Sequence, residues 1–223
     1  MTLYFLDAGT TFSKILEVKD DGEKKYSVIK TSELKNLDIN FNYSTGHSSN
    51  KNKTNYENEV VALSYGVKHL KNGVILDLGS RDAKWVQFNE GNFKDMDWNT
   101  NCASATGATI EMLLKFYGVD VQNLVPNKEK YPVTCGIFGL EKIMDDVSNG
   151  IAPEIAISKF ITGVAFNAYN FTKRPNKIYL SGGFCENNCF VEALKFFTEV
   201  ETLGRFVLVE GLYAVYSENL NKN

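Results

Sequence analysis

No window of 18 uninterrupted apolar residues occurs in the sequence, which excludes a membrane-spanning helix. Nor is there an excess of basic charge: 24 Lys and Arg stand against 27 Asp and Glu, a net charge of −3. Binding to DNA or RNA rests on clustered cations that neutralise phosphates, so nucleic acid is not an expected partner. The stretch from Met1 to Asp7 lacks the basic start of a secretory signal, and its apolar run stops at an aspartate. Cysteine is scarce: Cys102, Cys135, Cys185 and Cys189, with no Cys-x-x-Cys pair among them. Thiols without a secretory signal imply a reducing, cytoplasmic setting, where they stay free, bind metal or do chemistry. The two histidines, His47 and His69, read as surface or loop residues rather than ligands. What remains is an ordinary globular composition, 43% hydrophobic and 23% charged over 223 residues. That length holds one sizeable core or two small lobes.

The chain matches itself at an offset of 70 residues. Leu6-Asp7-Ala8-Gly9-Thr10 falls on Leu76-Asp77-Leu78-Gly79-Ser80, Lys14 falls on Lys84, and Leu16 and Val18 fall on Val86 and Phe88. Each copy reads as a strand, a tight turn at Asp-x-Gly-(Thr/Ser) and a second strand of period two. In the first copy a turn at Asp20-Asp21-Gly22 leads to a strand at Tyr26–Ile29. In the second, a turn at Asn89-Glu90-Gly91-Asn92 leads to a strand at Phe93–Trp98. Helical patterns follow at 57–70 and 105–117, and a long amphipathic one at 153–171 places Ile157, Phe160, Ile161, Val164, Ala165 and Ala168 on one face. The chain then predicts a strand at 177–180, Ser181-Gly182-Gly183, a helix at 188–200, a strand at 205–209 and a last helix from Gly211. This is a duplicated α/β unit.

An Asp-x-Gly-Thr hairpin has a recognisable chemistry. Glycine lets the backbone approach a ligand, and successive turn amides can cradle an anion. Hydroxyls add donors, and a carboxylate at the strand end can hold Mg²⁺ or its waters. One copy alone is as well explained as a simple turn; a pair at fixed offset favours two walls of a polyphosphate site. Lys14 and Lys84, taken individually, read as solvated strand residues, and Trp85 and Trp98 as packing.

Asp7-x-Gly9-Thr10-Thr11, Asp77-x-Gly79-Ser80 and Ser181-Gly182-Gly183, in this order, resemble the two phosphate motifs and the adenosine motif of the actin, sugar-kinase and heat-shock-chaperone ATPase superfamily. Within it the sequence is similar to the BadF/BadG/BcrA/BcrD-type ATPases, particularly the activators of 2-hydroxyacyl-CoA dehydratases. The resemblance implies an α/β fold of two ribonuclease-H-like lobes around a nucleotide cleft. The first lobe is expected at 1–72, joined by a C-terminal helix at 211–223, and the second at 73–210. It implies Asp7 and Asp77 as catalytic, Mg²⁺-placing carboxylates, with Gly9, Thr10, Thr11, Lys14, Gly79, Ser80, Gly182, Gly183 and Asn187 around ATP. Ser44-Thr45-Gly46 resembles the family's Thr-Gly motif, and Asn58-Glu59-Val60 the start of its Glu-containing helix. Where the family carries Tyr-Gly-Arg this chain has His47-Ser48-Ser49, and where it carries Cys-His this chain has Ala62-Leu63.

The segment from Asn101-Cys102-Ala103 through Thr106-Gly107 is similar to the family's Cys-Ala-Ala-Gly-Thr-Gly motif, and Thr134-Cys135-Gly136 to its second cysteine motif. The resemblance implies that Cys102 and Cys135 supply half of a [4Fe–4S] site completed by a second subunit of a homodimer. Each cysteine precedes a predicted helix, whose positive end suits thiolate and cluster charge. On spacing alone the two cysteines read more readily as small buried hydrophobes, and a zinc site built from all four thiols has only a poor Cys-x3-Cys knuckle. The family reading is an ATPase that couples hydrolysis to low-potential electron transfer into a partner 2-hydroxyacyl-CoA dehydratase or benzoyl-CoA reductase-like enzyme. The alternatives are a small-molecule kinase of the same superfamily and a nucleotide-binding protein that no longer hydrolyses.

Overall fold

Two similar hairpins organise the chain. In the computed structural model, which describes residues 2–49, 54–99, 106–133 and 136–222, the strands are β1 (Leu3–Ala8), β2 (Phe12–Val18), β3 (Lys24–Lys30), β4 (Tyr43–Thr45) and β5 (Asn55–Tyr56). They continue as β6 (Gly73–Leu78), β7 (Ala83–Asn89), β8 (Asn92–Asn99), β9 (Lys177–Ser181) and β10 (Glu199–Gly204). The helices are α1 (Glu59–Gly66), α2 (Gly107–Tyr117), α3 (Gly136–Ser148), α4 (Pro153–Phe171), α5 (Asn188–Leu194) and α6 (Val207–Leu220). By its contacts the chain divides into two units, Met1–Asn72 with Val86–Asp95 and Arg205–Asn223, and Gly73–Trp85 with Met96–Gly204. Among the described residues no helix is long and apolar enough to cross a membrane.

The first sheet has the order β3-β2-β1-β4-β5. β1 and β2 pair antiparallel from Leu3 opposite Val18 to Ala8 opposite Ser13, and β4 lies parallel to β1 with Thr45 level with Asp7. Successive side chains alternate between faces. Leu6, Ala8 and Ile15 pack with Ile29, Leu34 and Phe41, while Phe5 meets the rings of Tyr213 and Tyr216 on α6. Packing of α6 on α1 is close: a Cβ on Gly211 would collide with the Ala62 carbonyl, and one on Gly66 with that of Val207.

The second sheet, β10-β9-β6-β7-β8, repeats the first strand for strand in equivalent order. β6 takes the place of β1, its hairpin partners β7 and β8 follow outward, and β9 and β10 run parallel on the other side. The turn between β7 and β8 has positive φ at both Glu90 (52°) and Gly91 (77°), the type I′ geometry that matches strand twist. The core of this unit is built from Leu76, Leu78 and Trp85 of the sheet and from Ile157, Phe160, Ile161 and Val164 of α4. α4 spans 19 residues with Pro153 in its first turn, as its periodicity predicts.

Three expected elements differ. α1 is shorter than 57–70, because Asn58 caps it: its side-chain oxygen accepts the Val60 amide at 2.8 Å. The helix expected at 188–200 ends at Leu194, and residues 199–204 form the edge strand β10. The strand expected at 205–209 is instead the start of α6. Val207, Leu208 and Val209 are all buried, so the apolar run carries no strand-like alternation of exposure, and the helix runs through Gly211 because α1 leaves no room for a side chain there.

Candidate functional site

In the first unit Asp7, next to last in β1, lies directly opposite Lys14 on β2, and their side chains form an ion pair at 2.9 Å. Asp7 is 5% exposed. Beside it β4 ends in Thr45-Gly46: the Thr45 hydroxyl donates to the Glu57 carbonyl at 2.8 Å. Gly46 has φ 95°, and a Cβ there would fall 2.5 Å from the Ala8 carbonyl oxygen. The turn 46–49 folds back so that the Ser48 amide donates to the Ala8 carbonyl at 2.9 Å. The Gly9 carbonyl is held by the Thr31 hydroxyl at 2.7 Å.

The second unit repeats this module. Asp77 is next to last in β6, its Oδ2 3.1 Å from Lys84 Nζ, with Asp82 Oδ1 3.5 Å from the same ammonium. Lys84 is 2% exposed. The expectation of solvated lysines at 14 and 84 is therefore corrected: each is the counter-ion of the strand-end aspartate. β9 ends in Ser181-Gly182 with Ser181 level with Asp77, and the Ser181 hydroxyl donates to Asp77 Oδ1 at 2.7 Å. Gly182 has φ 93°, and a Cβ there would lie 2.6 Å from the Leu78 carbonyl oxygen. Thr45-Gly46 and Ser181-Gly182 are thus equivalent, a match that the 70-residue offset does not reveal because the connections before them differ in length. A parallel strand ending in Ser/Thr-Gly, next to each Asp strand, is the signal that finds it.

Both turns present their amides in the same way. The Gly79 carbonyl accepts from the Gly107 amide at 3.4 Å, and the Ser80 carbonyl from the Ala108 amide at 2.9 Å and the Thr106 hydroxyl at 2.6 Å. A trans peptide directs its N–H opposite to its C=O. The amides of Ser80 and Arg81 therefore point away from α2, and that of Thr10 away from Thr31. Amides at a glycine turn, a carboxylate and a lysine are groups of the kind that can bind phosphate and its metal ion. A carboxylate has about four lone-pair sites, so Asp7 and Asp77 can keep their lysines and still accept from metal-bound water.

Each unit thus gathers its own share of the expected residues: Asp7, Gly9 and Lys14 in one, Asp77, Gly79, Ser80 and Gly182 in the other. Thr10 is exposed and Thr11 half-buried on the first turn. Gly183 is exposed, and nothing lies within 4 Å of a Cβ built on it. The side chain of Asn187 is committed to capping α5, accepting the Phe190 amide at 3.0 Å. Cys102 and Cys135 lie outside the described residues. Cys185 donates its thiol to the Leu180 carbonyl at 3.1 Å, and Cys189 is buried 3.8 Å from Ser158 Oγ. Among the described residues no group of three or more His, Cys, Asp and Glu is arranged to hold a metal ion.

No family model matches the sequence. Relatives include the uncharacterized protein YjiL of Escherichia coli K12, 28% identical over 130 residues, and the 2-hydroxyisocaproyl-CoA dehydratase activator of Clostridioides difficile, 26% identical over 130 residues; each match takes in 54% of this chain. The chain spans about half the length of these two relatives, 51% and 49%. The (R)-2-hydroxyglutaryl-CoA dehydratase activating ATPase of Acidaminococcus fermentans is 22% identical over 221 residues, 84% of this chain and 85% of its own. The solved C. difficile activator, with ADPNP bound, superposes at a TM-score of 0.79 and 22% identity, covering 100% of this chain and 97% of that one. The A. fermentans component superposes at 0.78 and 18% identity, covering 99% of each. The chain is a homologue of the 2-hydroxyacyl-CoA dehydratase activators. It has the actin-like ATPase fold of these activators, with two α/β sheets of equivalent strand order, as the resemblance implies.

Proposed function

We propose that the protein is an ATP-hydrolysing activator that passes a low-potential electron to a partner 2-hydroxyacyl-CoA dehydratase or benzoyl-CoA reductase-like enzyme. The duplicated module carries this reading: a buried aspartate paired with a lysine, a glycine turn and a Ser/Thr-Gly strand end, present once in each unit. It is supported by the nucleotide held by a fold neighbour. Both turns grip one triphosphate, with Gly9, Thr10 and Thr11 on one side and Gly79 and Ser80 on the other. Lys14 adds positive charge, and Gly182, Gly183 and Asn187 lie at the nucleoside end. Mg²⁺, when bound, neutralises charge on the phosphates. Asp7 and Asp77 orient its waters and the attacking water. Phosphoryl transfer needs little beyond such positioning and charge compensation.

Cys102 and Cys135 contribute two thiolates per chain, so two chains complete one [4Fe–4S] site in a homodimer. α2 and α3 begin at Gly107 and Gly136, soon after each cysteine, and the positive end of each helix dipole stabilises thiolate charge. A cluster of this kind supplies a one-electron carrier. Protein prepared anaerobically is expected to contain about four iron atoms per dimer. Cys102→Ser and Cys135→Ser should each lose that iron while keeping the native circular dichroism spectrum. Colourless wild-type protein that still binds nucleotide would contradict the electron-transfer half of this reading. Phosphorylation of an acceptor, in place of release of free phosphate, would favour a kinase.

A further inference from the structure

The second hairpin holds both ends of the segment that carries Cys102. Downstream, α2 begins with no side-chain cap: the hydroxyl of Thr106, at the N-cap position, donates instead to the Ser80 carbonyl at 2.6 Å. The first amides of a helix lack intrahelical partners, and here the turn supplies them. Gly107 and Ala108 donate to the carbonyls of Gly79 and Ser80, so the turn itself caps the helix. The fit is close, since a Cβ on Gly107 would sit 3.3 Å from both the Gly79 oxygen and Ser80 Cα. Upstream, Trp98 near the end of β8 donates its indole N–H to Asp82 Oδ2 at 2.6 Å. Asp82 closes the same turn, its carbonyl accepting the Gly79 amide at 3.0 Å. Thr106 and Trp98 each lie four residues from Cys102 along the chain.

We infer that Trp98 and Thr106 are positioning residues that tie the nucleotide-facing turn 79–82 to both ends of the Cys102 segment, so that occupancy of the turn is transmitted to that cysteine. The inference rests on the proposed nucleotide role of the second hairpin. Its geometric content is that the peptides presenting the Ser80 and Arg81 amides to phosphate also present their carbonyls to α2 and Thr106. A turn that shifts to meet phosphate must carry α2 with it or break those bonds.

The test uses the full chain freed of iron by chelation, with Mg-ADPNP as probe and the alkylation rate of Cys102 read by peptide mapping. In the wild type, saturating nucleotide should change that rate by about fivefold or more, the lower range of allosteric couplings. Thr106→Val and Trp98→Phe should bind ADPNP yet lose most of the change, and Thr106→Ser should restore it. Each variant stands alone, so misfolding of one leaves the other decisive; buried Cys189, unreactive in the native fold, reports folding. A wild-type response retained in both variants would overturn the inference, as would nucleotide binding without any response in the wild type. Failure of the wild type to bind ADPNP would overturn the nucleotide reading and this inference with it. Absence of iron from the anaerobic protein would overturn only the electron-transfer reading, because the labelling needs no cluster.

Discussion

Burying an ammonium group is unfavourable unless counter-charge is buried with it. Lys84 meets that condition through Asp77 and Asp82, and its removal leaves the Asp77 carboxylate with Ser181 as its remaining described donor besides any bound ligand. Lys84→Met is therefore expected to lower stability by about 3–5 kcal/mol in urea unfolding, the range for one-sided loss of a buried pair. Lys14→Met should cost less, because the Lys14 side chain keeps 15% exposure against 2% for Lys84. Equal losses would contradict the burial argument. Cys185 is a second case of a group set by its surroundings: burial pushes its thiol from 9.0 up to about 11. The neutral form is favoured by folding, so this contribution to stability is present below pH 9 and is lost as pH rises through 11. At pH 8 Cys185 should alkylate roughly 100-fold more slowly than an unperturbed thiol, in proportion to its thiolate fraction. Rapid labelling of the native protein would show that the thiol is not shielded.

Glycines at the ends of β4 and β9 set the geometry at the scale of the element. Gly46 and Gly182 have φ near the same value, 95° and 93°, and in each a Cβ would strike the carbonyl that follows the strand-end aspartate. Gly46→Ala and Gly182→Ala should each destabilise by about 1–3 kcal/mol or more from backbone strain alone, measured by thermal or urea unfolding, and both should weaken ADPNP binding. Substitution at Gly91, a turn where nothing lies within 4 Å of a Cβ, should be costly only through its φ of 77° and should leave nucleotide affinity unchanged. Much of this level was legible from the sequence. The repeated Asp-x-Gly turn, the hairpin partners and α4 follow from alternation and periodicity, which are local. The equivalence of Thr45-Gly46 with Ser181-Gly182 was hidden because parallel strands join through crossovers of unequal length. The boundary at 205–209 misled because a buried β-branched run looks the same in a strand and in a helix packed on glycine-lined α1. The pairing of Lys14 and Lys84 with the aspartates was not readable, since only the folded hairpins bring each lysine to its carboxylate.

At the scale of the whole molecule, the duplicated sheet provides two similar glycine turns, and the proposed function gives both to one nucleotide. Sequence resemblance supplied the cysteine reading, and the described residues place the starts of α2 and α3 soon after Cys102 and Cys135. The proposed function requires cooperation of the two hairpins rather than either one alone. Calorimetric titration with Mg-ADPNP measures this directly in wild type, Asp7→Asn and Asp77→Asn. One site per chain is expected in the wild type, with each substitution, one in each unit, weakening binding by about tenfold or more, as loss of a charge-assisted contact does. Wild-type affinity in either variant, or two independent sites per chain, would contradict the claim that both turns serve a single triphosphate.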